Sequence, residues 1–163
     1  FHRLGLTILN EEAKAVGLRR PFTLLDAGDQ AVAVRHCLKS IGVDPRRHDP
    51  QGILTLISRA RNADLGPDEV AEQHGGTMVS EALKGYLEWM EAHEAVDFDD
   101  LILKPVALLR ERADLREKWQ DRFRHVLVDE YQDTNPLQAQ WVDLIGAGPR
   151  NVVVVGDDCQ SIY

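Results

Sequence analysis

Two acidic turns are the places where this sequence could do chemistry. Val126-Leu127-Val128 runs straight into Asp129 and Glu130, followed by Tyr131-Gln132-Asp133-Thr134-Asn135. Further along, Asn151-Val152-Val153-Val154-Val155 runs into Gly156-Asp157-Asp158-Cys159-Gln160-Ser161-Ile162-Tyr163. A short apolar run bounded by polar residues predicts a buried parallel strand, and ligands of open α/β sheets gather at the carboxyl ends of such strands. Both turns are therefore expected to open onto one crevice. A carboxylate at that position is a hard oxygen ligand of the kind magnesium takes, and magnesium keeps several waters, so one carboxylate plus substrate phosphates can suffice. Asp129 fits that role. Glu130 points elsewhere at the strand end, where it could accept a proton from a water attacking a terminal phosphate, a job typically worth about 10²- to 10⁴-fold. The same pair could instead favour the dipole of the next helix.

The elements that must position these turns follow from hydrophobic spacing. Leu4, Ile8, Leu9, Ala13 and Val16 predict an amphipathic helix over residues 4–16, with Gly17 as its stop. Phe22-Thr23-Leu24-Leu25 is a short strand candidate. Asp26 to Asp29 carry capping chemistry ahead of a helix over 31–41 closed by Gly42, and Asp44-Pro45 marks a turn. Helices are expected over 51–61 and 67–73, with Pro67 in the first turn and Gly75-Gly76 as a separator. Val79, Leu83, Tyr86, Leu87 and Met90 then form a long helical stripe. After Asp97-Phe98-Asp99-Asp100 the pattern runs to Leu109, with Pro105 expected to kink or divide it, and one more helix covers 114–123. Asn135 and Pro136 supply the cap and first position of a helix carrying Leu137, Trp141, Leu144 and Ile145, which makes a βαβ crossover. The fold class is α/β. Residues 26–96 read as an all-helical insertion between α/β pieces at 1–25 and 97–163.

With 163 residues, 44% of them hydrophobic, the chain has material for one ordinary core or two small ones. No apolar stretch approaches the roughly 20 residues that span a bilayer, and no basic-then-apolar leader opens the sequence, so the expected compartment is the cytoplasm. Cys37 and Cys159 are far apart and without cysteine-histidine spacing, so neither a disulfide framework nor a zinc site is indicated. His36, His48, His74, His93 and His125 are scattered in the same way, and Trp89, Trp119 and Trp141 fall within amphipathic helices, which points to core packing. The net charge of −8 is regional: residues 64–100 hold 11 acidic residues against Lys84 alone, a balance of −10, whereas 1–20 and 26–63 each come to +2. Phosphate affinity comes from local cationic clusters, so Arg19-Arg20, Arg46-Arg47 and Arg59/Arg61 are candidate backbone contacts, or else solvated helix-surface arginines. Phe1 in place of a start methionine, and a last strand with no helix after it, give the expectation of an excised segment.

The longer strings are more specific. Asp-Glu-Tyr-Gln-Asp-Thr-Asn and Val-Gly-Asp-Asp-Cys-Gln-Ser-Ile-Tyr closely resemble motifs II and III of superfamily 1 DNA helicases of the UvrD/Rep/PcrA group, most like its Rep branch. Phe1-His2 with Leu4-Gly5-Leu6 is similar to the stretch within and after that family's Thr-Phe-His, and Asp97-Phe98-Asp99-Asp100-Leu101 matches its Asp-Phe-Asp-Asp-Leu. The resemblance implies part of a RecA-like, P-loop NTPase parallel sheet. ATP and Mg²⁺ would be the cofactors. Single-stranded and partially duplex DNA would be the partners, with three-prime-to-five-prime movement and no membrane. It implies that Asp129 holds magnesium, that Glu130 activates water, and that Gln132 lies on the nucleotide-responsive face. Gln160 would sense the terminal phosphate, Tyr163 would meet a base or sugar of the strand, and Phe1 and His2 would lie near the same path. Two positions depart from the pattern: Cys159 stands where an aspartate is usual, and Arg3 where serine or threonine is usual. No GxxxxGK[ST] phosphate loop occurs in these residues, so the segment alone is expected to be inactive. Two other readings are a non-catalytic interaction module with a vestigial nucleotide site, and a helicase fused to a nuclease.

Overall fold

Helix signals in this sequence are mostly capping signals, and the structure, a computed structural model that describes residues 1–73, 77–148 and 151–157, places a helix after each strong one. The elements in order are α1 (His2–Glu11), β1 (Thr23–Leu24), α2 (Ala27–Ser40), α3 (Pro50–Asn62), α4 (Pro67–Gln73), α5 (Thr77–Ala92), β2 (Ala95–Val96), α6 (Asp100–Glu111), α7 (Ala113–Gln120), β3 (Val126–Val128), α8 (Pro136–Gly146) and β4 (Val152–Val154). Asp26 caps α2 in a reciprocal box with Asp29, and Asn135 caps α8 the same way with Gln138. Asp49 caps α3 just before Pro50 at its first position, where a missing amide donor costs nothing. Gly17 and Gly42 take left-handed backbone after α1 and α2, at φ +73° and +76°.

The chain forms two compact units. One contains Phe1–Val16 and the described residues from Ile102 onward, and its core gathers Ile8, Val106, Leu109, Trp119, Trp141 and Ile145. The other is Gly17–Leu101, with a core built on Val34, Leu38, Ile57, Leu83, Tyr86 and Met90 from α2, α3 and α5. Its strands β1 and β2 pair in parallel, Thr23 opposite Ala95 and Leu24 opposite Val96. In the first unit β3 and β4 pair in parallel, Val126 opposite Val152 through Val128 opposite Val154, with α8 as the crossover between them.

Four sequence expectations need correction. The helix expected over 4–16 ends at Glu11 and gives way to a 3-10 turn, Ala13–Val16, because Glu12 is buried and accepts from Lys118 Nζ at 2.6 Å and Trp119 Nε1 at 3.1 Å. Pro105 does not divide α6, which runs unbroken from Asp100 to Glu111 and loses only the one backbone bond that proline cannot donate. Ala95–Val96, read as the end of an all-helical stretch, is a strand. The apolar strands are also only partly buried: Val128 is in the core, but Leu127 is 77% exposed and Val153 53%. Their sequence fits a sheet covered on both faces. The expected Gly75-Gly76 separator lies outside the described residues.

Candidate functional site

The two acidic turns lie side by side because β3 and β4 are neighbours in parallel register. The pairing continues beyond the strands: Val155 N donates to Val128 O at 2.8 Å, and Tyr131 N to Val155 O at 2.9 Å. Asp129 is exposed at the carboxyl end of β3, and its Oδ1 accepts from Glu130 N at 3.0 Å. Glu130 sits in left-handed backbone at φ +53°, which turns the chain sharply out of the strand. A 3-10 turn, Tyr131–Asp133, follows, and Asn135 then starts α8.

Gln132 joins the turns. Its Nε2 donates to Glu130 Oε2 at 2.7 Å, and its Oε1 accepts from Asp157 N at 3.0 Å. A Cβ added at Gly156 would lie 2.6 Å from Gln132 Oε1, so a side chain there would displace the amide from its bridging position. The Phe1 ring lies 6.0 Å from that of Trp141. Together with Leu4, Val128 and Asp129 these rings line a concavity of about 320 Å³. Trp141 Nε1 is buried there without a hydrogen-bond acceptor among the described residues. Asp129, Glu130, Gln132 and the Gly156-Asp157 turn are thus brought together, and Phe1 shares a concavity with Asp129. His2 is half-buried within α1. Gln160, Tyr163 and Cys159 lie outside the described residues.

A second group was invisible to the sequence reading, which left Arg61 as a phosphate contact or a solvated surface arginine. Arg61 is buried: Nη1 donates to Asp97 Oδ2 at 2.6 Å and Nη2 to Asp100 Oδ1 at 2.5 Å. Tyr86 Oη donates to the same Asp97 Oδ2 at 3.0 Å. Asp97 and Asp100 also bind each other's backbone, Asp100 N to Asp97 Oδ1 at 2.8 Å and Asp97 N to Asp100 Oδ2 at 3.4 Å. Asn62 Nδ2 holds Asp99 Oδ1 at 3.1 Å. Burial opposes the charge on Arg61, but Asp100 and Asp97 outweigh it and raise its pKa; burial and Asp97 push the Tyr86 hydroxyl up as well. The three-residue spacing of Asp97 and Asp100 was the available signal, since it is the spacing of a capping box. Between these aspartates Phe98 is 55% exposed, on a concavity of about 310 Å³ shared with Gln30, Thr55, Ser58 and Arg59.

Asp129 offers the hard oxygen that magnesium requires, and a single carboxylate fits when phosphate oxygens complete the shell. Among the described residues no cluster of three or more histidine, cysteine, aspartate or glutamate side chains could hold a metal by itself. Nor is any helix among them long and apolar enough to cross a membrane.

Over 166 aligned residues the chain is 36% identical to the ATP-dependent DNA helicase PcrA of Staphylococcus epidermidis (strain ATCC 12228 / FDA PCI 1200), covering 100% of this chain and 23% of that protein. It is also 36% identical to the ATP-dependent DNA helicase PcrA of Bacillus subtilis (strain 168) and 35% to that of Leuconostoc citreum, covering 100% of this chain and 22% of each. The chain therefore spans less than a quarter of the length of these relatives. They carry the resemblance at the level of the UvrD/Rep/PcrA group rather than of Rep in particular. The UvrD/REP helicase N-terminal domain family matches residues 1–163, from first to last, and the chain belongs to that family.

Proposed function

We propose that this chain is an internal segment of an ATP-dependent DNA helicase that moves three-prime to five-prime along single-stranded DNA and uses ATP hydrolysis to unwind duplex. The observation that carries the reading is the pair of parallel strands whose acidic turns are strapped together by Gln132. In this reading residues 1–25 and 97–163 belong to a RecA-like motor subdomain and 26–96 to its helical insertion, boundaries that both fall within the compact unit Gly17–Leu101. The exposed valines of β4 suit a sheet whose faces are covered in the parent. Within the group the motif string is read as most like Rep, and the protein as cytoplasmic.

Asp129 would hold Mg²⁺, which when bound neutralises charge developing on the transferred phosphoryl group. Glu130, exposed at the same strand end, takes the proton of the attacking water. Gln132 ties the position of that carboxylate to the Gly156-Asp157 turn, so a change at one turn moves the other. Gln160, downstream of that turn, would sense the terminal phosphate, and Tyr163, Phe1 and His2 would lie along the DNA path. Phe98 adds a stacking platform: an exposed ring with Arg59, Thr55 and Ser58 beside it suits a base and its phosphate, at about 1–3 kcal/mol per stacked base.

Offered partial duplexes with a single-stranded tail of either polarity, the full-length parent is expected to displace the strand only from the three-prime-tailed substrate. Displacement from the five-prime tail alone, or from neither, would overturn the proposal. The isolated chain, which lacks a GxxxxGK[ST] phosphate loop, is expected to bind ATP weakly and not hydrolyse it. DNA-stimulated phosphate release by the purified 163 residues would contradict that part.

A further inference from the structure

We propose that Arg61, assisted by Tyr86, is a positioning residue that fixes the turn 97–100 and so presents Phe98 to single-stranded DNA. The inference rests on the platform reading of Phe98. Its own basis is the geometry around that ring. Phe98 and Asp99 are the two residues between Asp97 and Asp100, and both of those carboxylates are held by one buried guanidinium. Reciprocal backbone bonds close the turn, and Asn62 ties Asp99 to α3.

The guanidinium suits this task for a reason of shape. Its planar fork carries donors in fixed directions, so one arginine engages Asp97 with Nη1 and Asp100 with Nη2 at the same time. A lysine supplies the same charge from a single point. Tyr86 adds a neutral donor to Asp97 Oδ2, so the carboxylate that accepts most of the bonds stays in one orientation. The platform is built on the same helix: Leu54, Thr55, Ser58 and Arg59 of α3 line it, and Arg61 and Asn62 of α3 hold the turn that bears Phe98. Spacing between ring and lining is therefore set by α3 and its clamp.

The test measures affinity of the full-length parent for a labelled oligothymidylate by fluorescence anisotropy. It compares Phe98→Ala, Arg61→Lys, Tyr86→Phe and the doubles of each clamp variant with Phe98→Ala, and the thermal midpoint of each is followed. Phe98→Ala is expected to weaken binding about 5- to 150-fold, the range one stacked base represents. Arg61→Lys is expected to weaken it by a comparable factor, and the double variant to bind no more weakly than Phe98→Ala alone. Factors that multiply in the double would mean that Arg61 acts independently of Phe98 and would overturn the proposal, as would a folded Arg61→Lys protein with wild-type affinity. Where Arg61→Lys does not fold, Tyr86→Phe carries the same cycle: a smaller loss that vanishes in the Phe98→Ala background supports the clamp, and wild-type affinity overturns it. Wild-type affinity of Phe98→Ala removes the platform itself. A loss there combined with multiplying factors removes only the positioning role.

Discussion

Gln132 satisfies both ends of its amide across two turns that are 25 residues apart in sequence, and this sets what its replacement does. Alanine there removes two bonds at the protein surface, each worth roughly 0.5–1.5 kcal/mol net, so a loss of about 1–3 kcal/mol is expected from urea unfolding of the parent. Glutamate keeps the acceptor for Asp157 N but sets a carboxylate against Glu130, so Gln132→Glu is expected to lose more than Gln132→Ala. Equal midpoints for both variants would contradict the strut. The resemblance put Gln132 on the nucleotide-responsive face, but its bridging role was not legible, because it depends on strand register, which only tertiary structure supplies. Left-handed backbone at Glu130 was equally hidden, since glutamate carries no sequence preference for that conformation. The carboxylates themselves were legible because an apolar run ending in Asp-Glu is a local pattern.

At the scale of elements, the Asp49 cap of α3 emerges only in the structure, whereas Asp26 and Asn135 announce α2 and α8, and the structure caps each of these two helices with them. Local chemistry was enough there. It failed for β2, a two-residue strand defined only by its partner β1, and for α1, whose end is set by a buried Glu12 reaching α7. It failed for Arg61 too, because helical spacing shows which face a residue occupies but not that two aspartates from the next connection meet it. The clamp gives an element-scale prediction. Arg61→Met leaves two buried carboxylates without their cation, and removing one partner of a buried ion pair typically costs about 3–5 kcal/mol. Tyr86→Phe removes a single hydroxyl bond and should cost about 1 kcal/mol. Chemical denaturation of the parent checks both, and an Arg61→Met protein as stable as wild type would mean that the cluster contributes nothing net.

For the whole molecule, the division into two units, one carrying the acidic turns and the other the clamp and platform, makes stability a property of each unit rather than of one core. In the unit of Gly17–Leu101, burial raises the pKa of the Cys37 thiol, and burial with Asp97 raises that of Tyr86. Both groups are neutral when folded, so their contribution is complete below the ordinary thiol value of about 8.5 and falls as pH rises past it and then past about 10 for the phenol. The urea midpoint of this unit is expected to drop between pH 8 and 11, about the range of those two ordinary values, and Cys37→Ala to flatten the first part of the fall. A midpoint independent of pH over that range would contradict it. The architecture was legible to the extent that apolar strands and capped helices are local. That both faces of β3 and β4 are not covered among the described residues was not, because the same sequence suits a strand buried on both sides. The central claim is that these strands deliver Asp129 and Glu130 to a phosphate-hydrolysing crevice. DNA-stimulated ATP turnover by the full-length parent carrying Glu130→Gln tests it most directly. The account predicts a fall of about 10²- to 10⁴-fold with single-stranded DNA affinity retained, and turnover at the wild-type rate would contradict it.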